Sequence, residues 1–338
     1  MQKRIGIGFI GAGANTRLRH LPGFAAIDGV ELVSVANRSE ASSWAVADAF
    51  GVGRVAPDWR AVIADPAVDA VCIGTWPYMH AEMTLAALDA GKHVLTEARM
   101  ASSLEEARCM LEASEANPHL VAQIVPSPFT LDLDAAVRRL VDSGEVGELR
   151  EVFIDHCTSA FVDPEAPLTW RQDPRYSGIN MLTLGIYHEA VQRWITEDCE
   201  VERVAGEIFT RQRKHWESGE TVDVDLPDSL HIYGRFSGGA SLNYHFSGIE
   251  PGPGTNAVKL VGSNGTIRVE IEANEVLFCR NGDNCQPVEI PDEERRGWRV
   301  EEDFIDSIRN GTPVRLTNFA DGVRYMEFTD AVHRKLNL

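Results

Sequence analysis

Hydrophobic positions follow two different patterns along the chain, and the pattern changes near residue 124. Before that point, short apolar runs alternate with stretches whose apolar residues recur every three or four positions, which predicts βαβ units and a parallel sheet. The predicted strands are residues 5–10, 31–36, 70–74, 93–97 and 120–125, and the predicted helices are residues 18–27, 41–50, 80–90 and 104–116.

After Pro126 the pattern is typical of an α+β domain. Between residues 201 and 289, short apolar runs are separated by turn residues such as Pro251-Gly252-Pro253-Gly254, which predicts an antiparallel sheet. Helices are predicted over residues 132–142, 181–195, 301–309 and 321–336, and a further strand over residues 151–156. We therefore predict an α/β domain over residues 1–124 and an α+β domain over residues 125–338.

Composition and charge exclude several protein classes. Hydrophobic residues make up 44% of the 338 residues and charged residues 25%, which is typical of a globular protein and not of a disordered, collagen-like or disulfide-scaffold chain. The net charge of −19 repels phosphate backbones and anionic lipids, so we expect no nucleic-acid or membrane partner. No apolar run approaches the roughly 20 residues of a membrane-spanning helix, and we expect a cytoplasmic protein.

The six cysteines form no C-x-x-C pair and have no histidine pair near them at zinc-finger spacing. Only Cys279 and Cys285 are close in sequence. We expect reduced thiols throughout and no metal site.

A glycine-rich turn follows the first predicted strand, with the sequence Gly11-Ala12-Gly13-Ala14-Asn15-Thr16. A dinucleotide fold needs glycine where the chain turns sharply and where the backbone approaches a pyrophosphate at a helix N-terminus. Gly11 and Gly13 fit these roles, although Thr16 stands where a third glycine is usual. The order of strand, turn and helix favours nucleotide binding over the alternative of a glycine-rich turn without a ligand.

The end of the second predicted strand bears on the choice of cofactor. NAD-specific sites place Asp or Glu there to bind the ribose hydroxyls, but this sequence has Ala36-Asn37-Arg38-Ser39. Arg38 can stack on adenine and pair with a 2′-phosphate, and Asn37 and Ser39 can donate hydrogen bonds to it. We therefore favour NADP over NAD, the alternative being an exposed loop arginine without a ligand role.

At this point the sequence resembles the Gfo/Idh/MocA family, named after glucose–fructose oxidoreductase, inositol dehydrogenase and rhizopine catabolism. The runs that carry the resemblance are the Gly11–Gly13 turn, Thr75-Trp76-Pro77-Tyr78-Met79-His80, Ala90-Gly91-Lys92-His93-Val94-Leu95-Thr96-Glu97, Trp170-Arg171, residues 177–194 and residues 321–334. Together they span essentially the whole chain.

The resemblance implies a Rossmann domain followed by a domain with a large open, mostly antiparallel sheet. It also implies a nicotinamide cofactor, a sugar, cyclitol or related polyol substrate, and a homodimer or homotetramer formed through the open sheet. The residues expected to contact the cofactor, beyond the glycines and residues 37–39, are Asn15, Thr16, Thr75, Trp76, Pro77, His80 and Glu97.

Two motifs depart from the family pattern. The family's Glu-Lys-Pro motif corresponds here to Glu97-Ala98-Arg99, so Ala98 stands where the lysine would relay a proton. Arg99 can orient an oxyanion but stays protonated and is not a base. In the family's Asp-x-Gly-x-His motif, Thr183 replaces the acid and Tyr187 replaces the histidine.

The catalytic candidates lie on the helix predicted over residues 181–195. Helical spacing places Asn180, Leu184, Tyr187 and His188 on one face. Tyr187 can donate to the reacting oxygen and His188 can transfer protons near neutral pH, whereas the alternatives are a packed tyrosine and a hydrogen-bonded helix histidine. The substrate-binding candidates are Trp76, Arg99, Arg171, Asn180 and Thr183.

Alternatives remain for Arg171 and Trp76, which could instead order the domain junction and anchor a loop. The leading hypothesis for function is an NAD(P)-dependent oxidoreductase that transfers a hydride between nicotinamide and a hydroxyl or keto carbon of a sugar-like substrate. Two alternatives remain open: a nucleotide-binding regulator with attenuated catalysis, and a glycosidase that recycles a tightly bound NAD.

Overall fold

The computed structural model describes residues 4–280 and 282–336 and divides into two compact units. The first unit comprises the residues up to Pro126 together with Arg299–Met326. The second comprises Ser127–Trp298 and the residues from Glu327 onward. The predicted division differs from this one because it assigned everything after residue 124 to the second domain.

The first unit is built on a six-stranded parallel sheet with the order β3-β2-β1-β4-β5-β6. Its strands are β1 (Ile5–Ile10), β2 (Val30–Ala36), β3 (Arg54–Val55), β4 (Ala70–Ile73), β5 (His93–Thr96) and β6 (Ala122–Ile124). Its helices are α1 (Leu21–Ala25), α2 (Glu40–Phe50), α3 (Trp59–Ala64), α4 (His80–Asp89), α5 (Leu104–Ala116) and, much later in the chain, α9 (Val300–Asn310).

This strand order confirms the predicted Rossmann domain. The order reverses between β1 and β4, and such a switch point is where open α/β sheets bind ligands, beyond the carboxyl ends of the strands. β3 and α3 were not predicted, because elements of two and six residues are too short to show a clear hydrophobic periodicity.

The first helical segment differs from the single helix predicted over residues 18–27. A π-helical turn, Thr16–His20, comes first and is continued directly by α1, with the Leu21 N–H donating to the Thr16 carbonyl. The wider turn buries both Thr16 and His20. Such π turns often occur at functional sites.

The segment Arg299–Met326 joins the first unit because it covers the edge strand β6. Thr317 and Ile124 exchange backbone hydrogen bonds of 2.9 and 3.2 Å. The Met100 N–H donates to the Tyr325 hydroxyl at 2.5 Å. An edge strand leaves backbone groups without partners, and here a segment far along the chain supplies them.

The second unit is built on an eight-stranded sheet with the order β16-β15-β14-β13-β7-β12-β11-β8. Only β7 and β12 pair in parallel, so the sheet is mostly antiparallel, as the resemblance implies. Its strands are β7 (Leu149–Cys157), β8 (Cys199–Glu207), β11 (Ser229–Phe236), β12 (Ser241–Ser247), β13 (Thr255–Gly262), β14 (Gly265–Glu270), β15 (Glu275–Arg280) and β16 (Gln286–Pro287).

Further elements complete this unit. A separate two-stranded sheet pairs β9 (Gln212–Lys214) with β10 (Thr221–Asp223). The helices are α6 (Asp134–Asp142), α7 (Pro174–Ser177) and α8 (Leu184–Trp194), while α10 (Phe319–Lys335) contributes residues to both units. Within residues 4–280 and 282–336, no helix combines the length and the apolar character needed to cross a bilayer.

The two faces of the eight-stranded sheet differ in chemistry. On β11, Leu230 and Ile232 are fully buried, and they belong to a core that includes Val137 of α6 and Val191 of α8. The alternate residues point to the opposite face, which we call the outer face. It carries the partly exposed side chains of Phe153, Asp155, His231, Tyr233, Asn243, His245 and Lys259.

The expectation that all cysteines are reduced thiols is wrong for one pair. Cys279 and Cys285 form a disulfide, with a Cα–Cα distance of 3.9 Å. Antiparallel pairing of Phe278 with Gln286 brings the two cysteines opposite each other. Cys72, Cys109, Cys157 and Cys199 are thiols outside this disulfide.

A buried cation joins α6 and α8. The Arg193 guanidinium lies 2.5 Å from an Asp134 carboxylate oxygen and 2.6 Å from a Glu189 oxygen. Only 9% of the Arg193 side chain is exposed. Charges removed from water need partners of this kind, so the three residues stabilise one another.

We expect Arg193→Met to lower the free energy of unfolding by about 3–5 kcal/mol, because it leaves two poorly solvated carboxylates without their cation. Arg138→Met is the matched control, since Arg138 pairs with Asp142 in a largely exposed i,i+4 ion pair. That change should cost less than about 1 kcal/mol. Urea unfolding followed by circular dichroism measures both, and equal losses would contradict the assignment.

Candidate active site

The glycine turn lies at the switch point of the parallel sheet. Gly11 has φ +77°, and a Cβ atom there would lie 2.5 Å from the Thr75 side chain. Glycine is therefore required for the end of β1 to lie this close to the end of β4. The helical segment starts immediately after Gly13, and amide groups in the first turn of a helix have no acceptor within it. This arrangement fits a bound pyrophosphate.

The residues after β2 divide between structural and binding roles. The Asn37 side chain accepts from the Ala12 N–H at 2.7 Å and donates to the Ser42 carbonyl at 3.0 Å. Ser39 caps α2 by accepting from the Ser42 N–H. The turn itself therefore uses both side chains that were predicted to donate to a phosphate. Arg38 is exposed, with its guanidinium carbon 5.8 Å from the centre of the Trp76 ring.

His80 connects the loops after β4 and β5 and does not face solvent. Its Nδ1 lies 2.9 Å from the Arg99 carbonyl oxygen and its Nε2 lies 3.0 Å from the Thr75 carbonyl oxygen. Burial lowers the pKa of this imidazole. His80, predicted as a cofactor ligand, is fully buried and joins the two loops, and its contact with a cofactor stays a prediction.

Arg99 and Pro77, also predicted as site residues in these loops, are buried, whereas Thr75 and Trp76 are partly exposed. Arg99 is 4% exposed. Pro77 is buried and begins a short 3₁₀ turn, Pro77–Met79. The Thr75 hydroxyl lies 3.8 Å from the Met83 sulfur. Trp76 is partly exposed beside Arg38 and stays the candidate for stacking on a ligand.

A buried charge cluster surrounds His20, which the sequence analysis did not identify. His20 Nδ1 lies 2.5 Å from Glu301 Oε1, and its Nε2 lies 3.0 Å from Glu97 Oε1. The Asn15 amide donates to the same Glu97 oxygen at 2.5 Å. Asn15, predicted to bind cofactor, therefore orients Glu97, and Thr16 is buried against the Gly74 backbone.

Protonation in this cluster favours the charged forms. Burial alone would lower the pKa of His20, but its hydrogen bonds to Glu301 and Glu97 and their charges raise it to about 9. Burial alone would raise the pKa of Glu97, but His20 and Asn15 lower it. Near neutral pH the cluster therefore contains an imidazolium and an ionised Glu97 at the carboxyl end of β5.

Tyr187 is the centre of a polar group in the second unit. Its hydroxyl donates to Asn256 Oδ1 at 2.5 Å and lies 2.8 Å from His156 Nδ1. The Phe129 ring stacks on the tyrosine at 4.8 Å between centroids. Burial raises the pKa of Tyr187 well above its usual value, so the phenol stays protonated near neutral pH. His156 and Asn256 become neighbours only through the pairing of β7 with β13.

His188 lies in different surroundings from Tyr187. It is 2% exposed, stacks on Phe328 with centroids 3.9 Å apart, and places its Nδ1 3.4 Å from the Tyr244 hydroxyl. Adjacent residues on an α-helix differ by about 100° in direction, and here they contact separate groups. These surroundings are those of a core histidine.

The prediction that Asn180 shares a helical face with Tyr187 is wrong. The helix begins at Leu184, and Leu182 and Thr183 before it have φ of +46° and +59°. Asn180 is 1% exposed and donates to the Ser177 carbonyl at 2.6 Å. The Thr183 hydroxyl donates to the Leu182 carbonyl at 2.6 Å.

Arg171 is the exposed member of the predicted substrate-binding set in this unit. It lies in a 3₁₀ turn, Trp170–Gln172, with its guanidinium carbon 4.4 Å from the centre of the Trp170 ring. Thr169 and Gln172 form a capping box around this turn. An exposed guanidinium that packs on a tryptophan ring can bind an oxygen-rich ligand.

Comparison with known proteins decides the family. Residues 5–123 match the model of the oxidoreductase family with an NAD-binding Rossmann fold, and residues 135–268 match the Gfo/Idh/MocA C-terminal domain. The chain belongs to the Gfo/Idh/MocA oxidoreductase family. The family predicted from the sequence motifs is thus confirmed.

The first curated relatives align with only part of this chain. The levoglucosan dehydrogenase of Pseudarthrobacter phenanthrenivorans is 28% identical over 53% of this chain and 46% of its own length. The chain spans about half the length of the curated relatives that it matches first.

Solved structures match over almost the whole chain. A levoglucosan dehydrogenase in complex with NADH and L-sorbose has a TM-score of 0.87 at 21% identity, covering 98% of this chain and 96% of that one. A 3-ketoreductase mutant from Actinomadura kijaniata, in complex with TDP-benzene and NADP, has a TM-score of 0.77 at 19% identity, covering 99% and 98%. At these identities the likeness establishes the fold.

We expect the His20 cluster to make stability depend on pH. Because the folded-state pKa of His20 is raised from 6.5 to about 9, its stabilisation is complete below pH 6.5 and is lost as pH rises through 9. That shift corresponds to about 3 kcal/mol. The free energy of unfolding of the native protein should therefore fall across this interval, and His20→Gln should remove the fall. Urea titrations at several pH values measure it.

His119→Gln is the control, because His119 is exposed. Its pH profile should match that of the native protein. If His20→Gln kept the native slope between pH 6.5 and 9, the assignment of a buried imidazolium would be wrong.

Proposed function

We propose that this Gfo/Idh/MocA protein is an NAD(P)-dependent oxidoreductase that interconverts a hydroxyl and a keto group on a sugar, cyclitol or related polyol derivative. The observation that carries the proposal is the Gly11 turn at the switch point of a six-stranded Rossmann sheet. The names of the relatives, dehydrogenases and reductases of sugars and inositol, support this hypothesis over a regulator or a glycosidase. A homo-oligomer formed through the outer face stays a prediction from the resemblance.

NADP is the favoured cofactor because of Arg38. No carboxylate stands at the end of β2 to accept the ribose hydroxyls, and the neighbouring Asn37 and Ser39 are held in local hydrogen bonds. Arg38 is an exposed cation beside Trp76, where it can pair with a 2′-phosphate while stacking on adenine. The Rossmann residues therefore fit a nicotinamide dinucleotide with this phosphate.

When bound, the nicotinamide would supply or accept the hydride. Glu97 presents an ionised carboxylate beyond the end of β5, held in one orientation by His20 and Asn15. A fixed carboxylate there suits hydrogen bonding to ribose hydroxyls, and its rigidity limits the reorganisation needed on binding. Ala98 contributes no proton transfer, so the proton must be handled by another group.

We assign that role to Tyr187. Its phenol stays protonated near neutral pH, so when its hydroxyl hydrogen turns away from Asn256 it can be donated to a carbonyl oxygen during reduction. Asn256 and His156 fix the position of the hydroxyl, and the stacked Phe129 fixes the ring. We assign His188 no part in proton transfer, because its ring is packed on Phe328.

Nucleotide titrations test the cofactor assignment. The native protein should bind NADPH more tightly than NADH, and Arg38→Ala should weaken NADPH binding at least about tenfold while changing NADH binding little, since a charge-assisted contact contributes roughly 1.5–3 kcal/mol. Arg60→Ala is a matched control, because Arg60 is also an exposed arginine over a tryptophan ring, Trp59. Tryptophan fluorescence quenching reports the binding.

Equal weakening for both nucleotides would show that Arg38 contacts only the shared adenosine, and the preference for NADP would then be rejected. If the folded native protein bound neither nucleotide, and released none on denaturation, the proposed function itself would be wrong.

Steady-state kinetics test the role of Tyr187. A panel of sugars and cyclitols, with NADP reduction followed by absorbance, identifies the best substrate. With it, Tyr187→Phe should lower kcat about 10²-fold or more and leave the affinity for NADPH unchanged. Tyr233→Phe, at a 42% exposed position on the outer face, should retain native kcat. Equal kcat for both variants would exclude Tyr187 from proton transfer.

A further inference from the structure

Three side chains with metal-binding atoms converge on the outer face of the eight-stranded sheet. Asp155 and Cys157 are two residues apart on β7, so they point to the same side, and His245 on β12 pairs directly with Asp155. The Asp155 Oδ1–Cys157 Sγ, Cys157 Sγ–His245 Nδ1 and His245 Nδ1–Asp155 Oδ1 distances are 3.3, 3.4 and 3.2 Å. The three residues are a carboxylate, a thiol and an imidazole.

The contacts do not resemble a catalytic relay. In a Cys-His-Asp relay, the two ring nitrogens of the histidine contact different partners. Here the same atom, His245 Nδ1, faces both the sulfur and the carboxylate oxygen. Three atoms whose lone pairs converge in this way suit a common central ion.

The distances also fit a metal ion. The centre of a triangle with these three edges lies about 1.9 Å from each atom. Zinc bonds to nitrogen and oxygen are about 2.0–2.2 Å long and bonds to sulfur about 2.3 Å, so an ion about 1 Å above the plane of the triangle satisfies all three. We propose that Asp155, Cys157 and His245 bind a divalent transition-metal ion of the zinc class.

Neighbouring residues support the site. The Glu250 carboxylate lies near the Cys157 thiol and adds negative charge beside the three ligands. The His231 ring stacks on His245 with centroids 4.1 Å apart and an angle of 5°, which orients the imidazole. Two nearby carboxylates favour a cation, and binding releases the thiol proton as the thiolate–metal bond forms.

The site lies on the opposite side of β7 from the Tyr187 group. His156, between the two proposed ligands on β7, faces inward and contacts the tyrosine hydroxyl. Metal binding at Asp155 and Cys157 would therefore hold in place the residues immediately before and after His156. The proposal does not depend on the proposed oxidoreductase activity, since it concerns binding alone.

Cobalt titration of the full-length protein tests the proposal, because a thiolate bound to Co²⁺ gives a charge-transfer band. One equivalent of Co²⁺ should produce the band, and excess Zn²⁺ should remove it. Cys157→Ser should abolish the band, whereas Cys109→Ser, at an exposed free cysteine on α5, should leave it unchanged.

Asp155→Asn is the second variant, because half of this side chain is exposed and the amide keeps its shape. It should weaken Co²⁺ binding at least about tenfold, since even the loss of a supporting partner costs about 10- to 100-fold. The proposal would be overturned if the native protein bound no Co²⁺, if the band were absent, or if either variant bound Co²⁺ as the native protein does.

Discussion

The buried imidazolium of His20 is the interaction on which the first unit depends. An unpaired charge inside a protein is costly, and His20 is fully buried between two carboxylates. The pairing therefore requires the π-helical turn, the end of β5 and the start of α9 to meet at one point. Glu301 is 281 residues away from His20 in the sequence, so this contact attaches the C-terminal segment to the Rossmann sheet.

The same interaction has a consequence for chemistry. Glu97 is a partner of His20 and stands at the carboxyl end of a parallel strand, the end at which open α/β sheets bind ligands. Its charge and its direction are set by groups behind it, Asn15 and His20. A structural ion pair and a proposed binding group therefore share one carboxylate, that of Glu97.

In the second unit, strand alternation separates two kinds of chemistry. Successive residues of β7 point to opposite faces, so His156 meets Tyr187 on the inner side while Asp155 and Cys157 meet His245 on the outer side. The inner group is built around a buried tyrosine whose phenol stays protonated near neutral pH. The outer group needs three positions from two strands and has no signature in the linear sequence.

The sequence by itself determined the parts of this protein that depend on local patterns. Alternating strand and helix periodicity gave the parallel sheet, the glycine turn marked its switch point, and the motif around Glu97 gave the family. These patterns can be recognised in the sequence because each lies within one element or two adjacent elements. For the same reason the helix over residues 104–116 was predicted with the bounds that α5 has.

Only the tertiary structure decided which distant residues meet. Three contacts join residues that are far apart in the sequence. The separation is 281 residues for His20 and Glu301, 69 residues for Tyr187 and Asn256, and 90 residues for Asp155 and His245. The structure also shows that α8 starts at Leu184, after two residues with positive φ, which hydrophobic periodicity does not reveal. Strand register and buried charge pairing are properties of the folded chain, because they depend on packing between elements that the sequence presents separately.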